Sequence, residues 1–227
     1  GRMTPTETMA ALEQAGTAQA VKIYKRHGAA EPLFGVSYAN LDKLRRSIGV
    51  DHELALALWE TGNHDARILA TKIADPDRLG KRDLDSWVRV VDNYMQSDAL
   101  ADLVGRGPEA DSRADKWTTS PREFVAHTGW ALVGQQALRD DDRPAAYFGE
   151  RIDQIEAGIK TAPNRTRHAM WMTLIAIGGR TPGLRRKAEA AAKRIGTPTV
   201  DHGQTSCTTP DALPYIERMW ERKLVRQ

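Results

Sequence analysis

Apolar residues recur at steps of three and four in one segment after another, and this period leaves the chain few folds to choose from. Leu41, Leu44 and Ile48; Leu54 and Leu58; Leu69 and Ile73; Leu84, Trp87, Val88 and Val91; and Leu100, Leu103 and Val104 each fall on one helical face. The pattern resumes at Phe124, Val125, Thr128 and Leu132, then at Ile152, Ile155 and Ile159. It runs on through Met170, Leu174 and Ile177, then Leu184, Ala188, Ala191 and Ile195, and closes with Ile216, Met219 and Trp220. No segment reads clearly as a strand, so an all-α chain is expected.

Helix boundaries are marked by chemistry. Ser120-Pro121-Arg122-Glu123 offers an N-cap hydroxyl, a proline at the first helical position and a glutamate placed to close a capping box. Asp75-Pro76, Thr181-Pro182 and Thr209-Pro210 repeat the arrangement of cap and proline, each proline giving up an N–H that a helix start leaves unpaired. Gly49, Gly178-Gly179 and Gly196 stand where helices should stop.

These signals predict about ten or eleven helices of 10–18 residues, with pairs recurring on the 35–45-residue scale of HEAT-like repeats. Such pairs stack into a solenoid, an α-α superhelix, whose concave face commonly binds a partner. Residues 1–227 are read as one such domain. Gly1-Arg2 before Met3 reads as an expression scar followed by the start methionine. Arg106 to Thr119 and Asp140-Asp141-Asp142 are expected loops, and 196–210 an irregular segment before the last helix.

Charge adds a direction. The net formal charge is only +3, yet from Lys160 to Gln227 there are 13 Lys/Arg against five acids. That concentration predicts a basic face turned toward a polyanion, although a solvated surface would carry the same composition. No apolar run approaches the roughly 18–20 residues of a membrane span, so no membrane partner is expected. The N-terminus lacks the apolar core of a signal peptide, and Cys207 is the only cysteine, which fits a reducing cytosol. Cytoplasmic location with nucleoid association, and a monomer, are the expectations. There is no Walker P-loop, no dinucleotide fingerprint and no nucleophile elbow, which argues against those enzyme classes.

Several segments together resemble the DNA alkylation repair family of HEAT-like-repeat alkylpurine DNA glycosylases. They are Phe34-Gly35-Val36-Ser37 with Leu41-Asp42-Lys43-Leu44; the run Glu53 to Glu60 with His64 to Ala70; Trp87-Val88 to Asp98; Phe124 to Leu132; and Ile175 to Gly178. The tail from Asp201 to Ala212 is similar to that of a bacterial branch. The resemblance implies duplex DNA, alkylated or otherwise damaged, as partner, and excision of methylated purines as the activity. It implies Asp98 as the catalytic aspartate, Tyr94 where the family has a tryptophan, and His127 where it has an arginine. Met172 falls at a second tryptophan position, and the adjacent Trp171 is the expected DNA contact there.

The chemistry those residues would serve is cleavage of an N-glycosidic bond, which builds positive charge on the sugar as a cationic base departs. A fixed carboxylate near the anomeric carbon stabilises that state and can orient a water. Tyr94, one helical turn before Asp98, would offer a ring to the deoxyribose. His127 could meet a phosphate, Trp130 a sugar. Arg165, Arg167, Arg180, Lys187 and Lys193 are expected DNA contacts, with Arg185, Arg186 and Arg194 as further cations. Plainer readings stand beside these: a capping or ion-paired Asp98, a packed His127 and Trp130, a solvated basic face. No cofactor is expected. Asp201, His202, Cys207 and His168 are ligand types but lack paired zinc spacing, so no metal is expected and a hydrogen-bonded loop is favoured there. Three functions remain open: a glycosylase built on Asp98, a non-catalytic scaffold for damaged or branched DNA, and a protein-interaction solenoid.

Overall fold

A computed structural model of the chain describes residues 2–226, which leaves Gly1 of the expected scar outside the described residues. Among them are thirteen α-helices and two short 3-10 turns, at Pro76–Arg78 and Ile159–Thr161, and no strand. By packing, the chain forms two compact units. The first runs to Arg113 and includes Gly203–Thr205; the second holds Ala114–His202 and the residues from Ser206 onward.

The first unit contains α1 (Pro5–Ala15), α2 (Ala18–Arg26), α3 (Tyr38–Ile48), α4 (His52–Glu60), α5 (His64–Ile73), α6 (Lys81–Arg89) and α7 (Tyr94–Gly105). Helix α5 is its centre, packing on α4, α7, α3 and α1. Nearly every α5 side chain is buried, including Asp65, Ile68, Leu69 and Ile73. Trp59 and Trp87 stack with ring centroids 4.2 Å apart, and the Arg67 guanidinium sits 5.1 Å over Trp59.

Asp65 is fully buried and receives the backbone N–H groups of Phe34, Gly35 and Val36 at 2.6, 3.0 and 2.8 Å. This carboxylate therefore joins two of the segments that carry the family resemblance. The segment it holds sets the start of two helices. Thr17 donates its N–H to Gly35 O at 3.0 Å at the start of α2, and Ser37 caps α3 by accepting from Asn40 N at 3.2 Å. Gly35 has φ +76°, and a Cβ there would stand 2.5 Å from Val21 N and 2.7 Å from Thr17 O. Only glycine fits that approach.

Helix α8 (Ala110–Trp117) lies where the sequence predicts loop. Its residues are mostly polar or charged, so its apolar period is faint, but Arg113 reaches back to Asp85 at 2.6 Å in a largely buried ion pair.

The second unit contains α9 (Glu123–Leu138), α10 (Ala145–Gly158), α11 (Asn164–Gly178), α12 (Pro182–Ile195) and α13 (Ala212–Arg226). Helices α9 and α11 make its most extensive contact, and α11 also packs on α10, α12 and α13. Both are buried on most of their circumference, as central helices are. Trp117, Trp130, Trp171 and Phe148 are its largest fully buried side chains.

The helix-end signals are met in part. Thr181 caps α12 by accepting from Leu184 N at 3.2 Å, and α3 and α12 end at Gly49 and Gly196 with φ near +70°. The capping box expected at Ser120-Pro121-Arg122-Glu123 does not form. Arg122 is the cap residue and makes no side-chain cap bond, while the Glu123 carboxylate accepts from Arg165 N at 3.0 Å. Asp75-Pro76 opens only the short 3-10 turn, and Thr209 bonds the His202 imidazole at 2.8 Å rather than capping α13. The irregular stretch after Gly196 and the turn at 140–142 are as expected. Among the described residues no helix is long and apolar enough to cross a membrane.

Candidate nucleic-acid interface

The start of α7 is set by Asn93, whose side chain accepts from Gln96 N at 3.0 Å. With its oxygen so used, the Asn93 amide nitrogen faces His64 Nδ1 at 3.3 Å, and the Gln96 amide nitrogen reaches the same atom at 3.0 Å. Two donors on Nδ1 require a neutral imidazole there. Burial holds the His64 pKa below its ordinary value, outweighing the nearby carboxylates of Asp65 and Asp92.

This buried network orients the first turn of α7 so that Tyr94 is half-buried and Asp98, one turn on, is exposed. The two line a cavity of about 320 Å³ together with Tyr38, Ile68, Thr71, Lys72, Met95, Ala99 and Asp102. Tyr94 hydroxyl is hydrogen-bonded to His27 Nδ1, their rings meeting edge-on. Tyr38 opens α3 and packs edge-on against Tyr24, whose hydroxyl donates to Val36 O at 2.7 Å. Although half of Tyr38 is exposed, desolvation pushes its phenol up to about 12, assisted by the negative charges of Tyr24, Asp98, Tyr94 and Asp65. The phenol therefore stays a donor at any physiological pH.

The cavity is thus aromatic and acidic. Asp98 and Asp102 outnumber Lys72, so its field favours a cation or a sugar developing positive charge over a bare phosphate. Sequence reasoning found Asp98 and Tyr94 but not Tyr38, His27 or Lys72. These come from chain segments far apart, and no local spacing links them.

The other expected residues lie in the second unit, and most are engaged there. His127 is 2 % exposed and hydrogen-bonds Arg165 O at 3.1 Å through Nδ1; a carbonyl only accepts, so Nδ1 carries the proton. It joins α9 to α11 and presents no surface to a phosphate. Trp130 is fully buried, and Thr173 Oγ1 donates to its carbonyl at 2.7 Å. Trp171 is equally buried, its indole N–H donating to Pro210 O at 2.8 Å, while Met172 beside it is half-buried.

Arg180 is withdrawn most completely. Its guanidinium donates to Gln136 O, Ala137 O and Arg139 O at 3.2, 3.2 and 2.8 Å, closing the C-terminus of α9. It pairs with Asp141 at 2.6 Å and stacks 4.5 Å over Phe148. That donated hydrogen bond holds the Asp141 carboxyl below its ordinary value. Lys187 pairs with Asp153 at 2.9 Å, Arg194 with Glu156 at 2.5 Å and Arg185 with Glu189 at 2.6 Å. Arg167 donates to Thr199 O and Ala162 O, both at 2.9 Å, and Arg165 is half-buried. Lys193 and Arg186 remain exposed on α12.

The segment after α12 is held as a hydrogen-bonded loop. Asn164 brackets Asp201 through its amide and carbonyl, both at 2.8 Å, and His202 meets His168 with rings 5.3 Å apart. Among the described residues no cluster of three His, Cys, Asp or Glu could hold a metal ion.

Comparisons with known proteins identify the chain's kin. The family model described as DNA alkylation repair enzyme matches residues 8–216. An uncharacterized protein of Listeria innocua is 29 % identical over 218 residues, covering 93 % of this chain and 94 % of its own. An uncharacterized protein of Listeria monocytogenes is 28 % identical over the same shares. A solved structure superposes with a TM-score of 0.90 at 29 % identity, covering 97 % of this chain and 95 % of its own. It is described as a new family of proteins related to the HEAT-like repeat DNA glycosylases with affinity for branched DNA structures. The expected HEAT-like all-α fold is therefore the fold of this chain, and because the family match runs over nearly its whole length, the protein belongs to the DNA alkylation repair enzyme family.

Proposed function

We propose that the protein binds DNA and recognises branched or otherwise distorted structures, rather than gripping an alkylated duplex for base removal. One observation carries this reading. Of the three residues expected to be catalytic, Asp98 alone is exposed, with Tyr94 half-buried beside it, whereas His127 is sealed in its core. Trp130, Trp171 and Arg180 are likewise spent on packing and helix closure. The structurally similar protein with affinity for branched DNA supports the same reading. The test is binding of a four-way junction and of a matched linear duplex across salt concentrations. Preference for the junction by tenfold or more is expected, and equal affinity for both would overturn it.

A second reading rests on a separate observation, the shared cavity of Asp98 and Tyr94. An exposed carboxylate beside aromatic rings could stabilise an oxocarbenium-like sugar and orient a water, hydrolysing the glycosidic bond of a cationic purine. Release of methylated purine from alkylated duplex, lost in Asp98→Asn, would establish it; no release by the unaltered protein would exclude it.

A further inference from the structure

The cavity at Asp98 is acidic, so DNA whose sugar or base enters it needs its phosphates held by something else nearby. Helix α2 has the composition for that task. It carries Lys22, Lys25 and Arg26 and no acid, and it has no buried residue. A nine-residue helix that buries nothing gains little from packing and is marginal on its own. Yet it is fixed to the site at several points. Thr17 caps it by accepting from Ala20 N at 3.1 Å, and Thr17 N–H is anchored on Gly35 O. Tyr24 packs on Tyr38 and on His64, at 6.2 and 5.7 Å between centroids, and His27 at its C-cap is bonded to Tyr94.

The cations lie on the side left open. Lys22 and Arg26, one turn apart, are exposed, and among the described residues neither is ion-paired; Lys25 is held by Glu31 at 2.6 Å, both side chains being well exposed. Residues four apart on a helix stand about 6 Å apart along its axis, close to the spacing of successive phosphates on a DNA strand. The two side chains can therefore neutralise neighbouring phosphates while the helix stays docked beside Tyr94.

We propose that α2 is the phosphate-holding element of the Asp98 site, with Lys22 and Arg26 contacting the DNA backbone and Tyr24 and His27 fixing their position. This rests on the DNA-binding reading above and names residues for it that neither the charge distribution nor the resemblance singled out. The occupant is a DNA strand, chosen on charge complementarity. An acidic protein partner is the competing outcome.

The experiment measures junction binding at several salt concentrations by fluorescence anisotropy, using the full chain and Lys22→Ala/Arg26→Ala. Alanine preserves helix propensity, and circular dichroism checks that the helix content is kept. Each phosphate contact contributes about 0.9 to the slope of log affinity against log salt, so the double variant should lower the slope by about 2. A control, Lys81→Ala/Arg82→Ala, removes the same charge from the exposed start of α6 and should leave the slope nearly unchanged. An unaltered slope in the α2 variant, or an equal drop in the control, overturns the proposal while DNA binding stands. Absence of DNA binding by the unaltered protein overturns both, and acidic polypeptide bound through Lys22 and Arg26 would take its place.

Discussion

Asp65 accepts the N–H of Gly35 at 3.0 Å from a position with no solvent exposure, and this one bond joins the centre of the first unit to the segment that positions α2 and α3. Asp65→Ala would leave three backbone donors without their carboxylate. Loss of about 3 kcal/mol or more of stability is expected, measured by urea denaturation. A loss below about 1 kcal/mol would mean that the bonds are replaceable and the anchor is not one.

Arg180 tests the same logic from the other side. A residue that closes the carbonyl end of α9 and pairs with Asp141 should matter to folding and not to DNA. Arg180→Ala should destabilise by about 1–3 kcal/mol, because the carbonyls of Gln136 and Ala137 lose a planar multidentate donor while the exposed Asp141 can turn to water. At a temperature where the variant is folded, its salt slope for DNA should match the unaltered protein. A slope reduced by about 1 would restore Arg180 as a phosphate contact.

What could be read from sequence follows a physical divide. Helix existence was legible wherever one face is apolar, as at Leu41, Leu44 and Ile48, because burial of a stripe is a periodic property. Helices α2 and α8 escaped because the apolar face of α2 is little more than Val21 and Tyr24, too short to show a period, and most of α8 is polar or charged, as at Asp111 and Lys116. Asp98 and Tyr94 were legible as neighbours one turn apart. The fates of His127, Trp130 and Trp171 were not, since α9 and α11 are buried nearly all round and periodicity cannot choose a face. Nor does a cation reveal its partner: Lys187 and Arg186 are adjacent in sequence, and among the described residues it is Lys187 that pairs with a carboxylate, Asp153, while Arg186 is exposed.

Asp98 has a binding consequence apart from catalysis. If DNA phosphates lie beside the cavity, the exposed carboxylate repels them, and Asp98→Asn should tighten binding. A unit charge at close range in water is worth about 1 kcal/mol, so the gain should be at most about fivefold at low salt. Weaker binding by the variant would mean that Asp98 accepts a hydrogen bond from the DNA.

His64 predicts how stability responds to acid. Its folded pKa lies below its ordinary 6.5, so the folded protein disfavours the imidazolium relative to the unfolded chain. Above about pH 6.5 both states are neutral and stability is intact. As pH falls through 6.5, the unfolded chain takes up the proton first and stability declines, by at most about 1.4 kcal/mol per pH unit for one group. His202, also lowered by desolvation and by Arg165, acts in the same direction. His64→Gln should flatten the decline between pH 6.5 and 5, measured by denaturation at each pH. An unchanged profile would place the acid sensitivity elsewhere.

Tyr38 gives the alkaline counterpart and reports directly on the cavity. Its phenol is pushed up to about 12, above the ordinary 10, so the folded state holds a proton that the unfolded chain releases. That contribution is complete below pH 10 and is lost as pH rises through 12. Tyrosinate absorbance near 295 nm should therefore show a late fraction among the five tyrosines, to which Tyr24, also raised, contributes. Tyr38→Phe should remove about half of that fraction and leave the part due to Tyr24. Because Asp98 is one of the charges raising Tyr38, Asp98→Asn should move the late step downward without removing it. A late step indifferent to Asp98 would mean that the carboxylate and the phenol do not share a field.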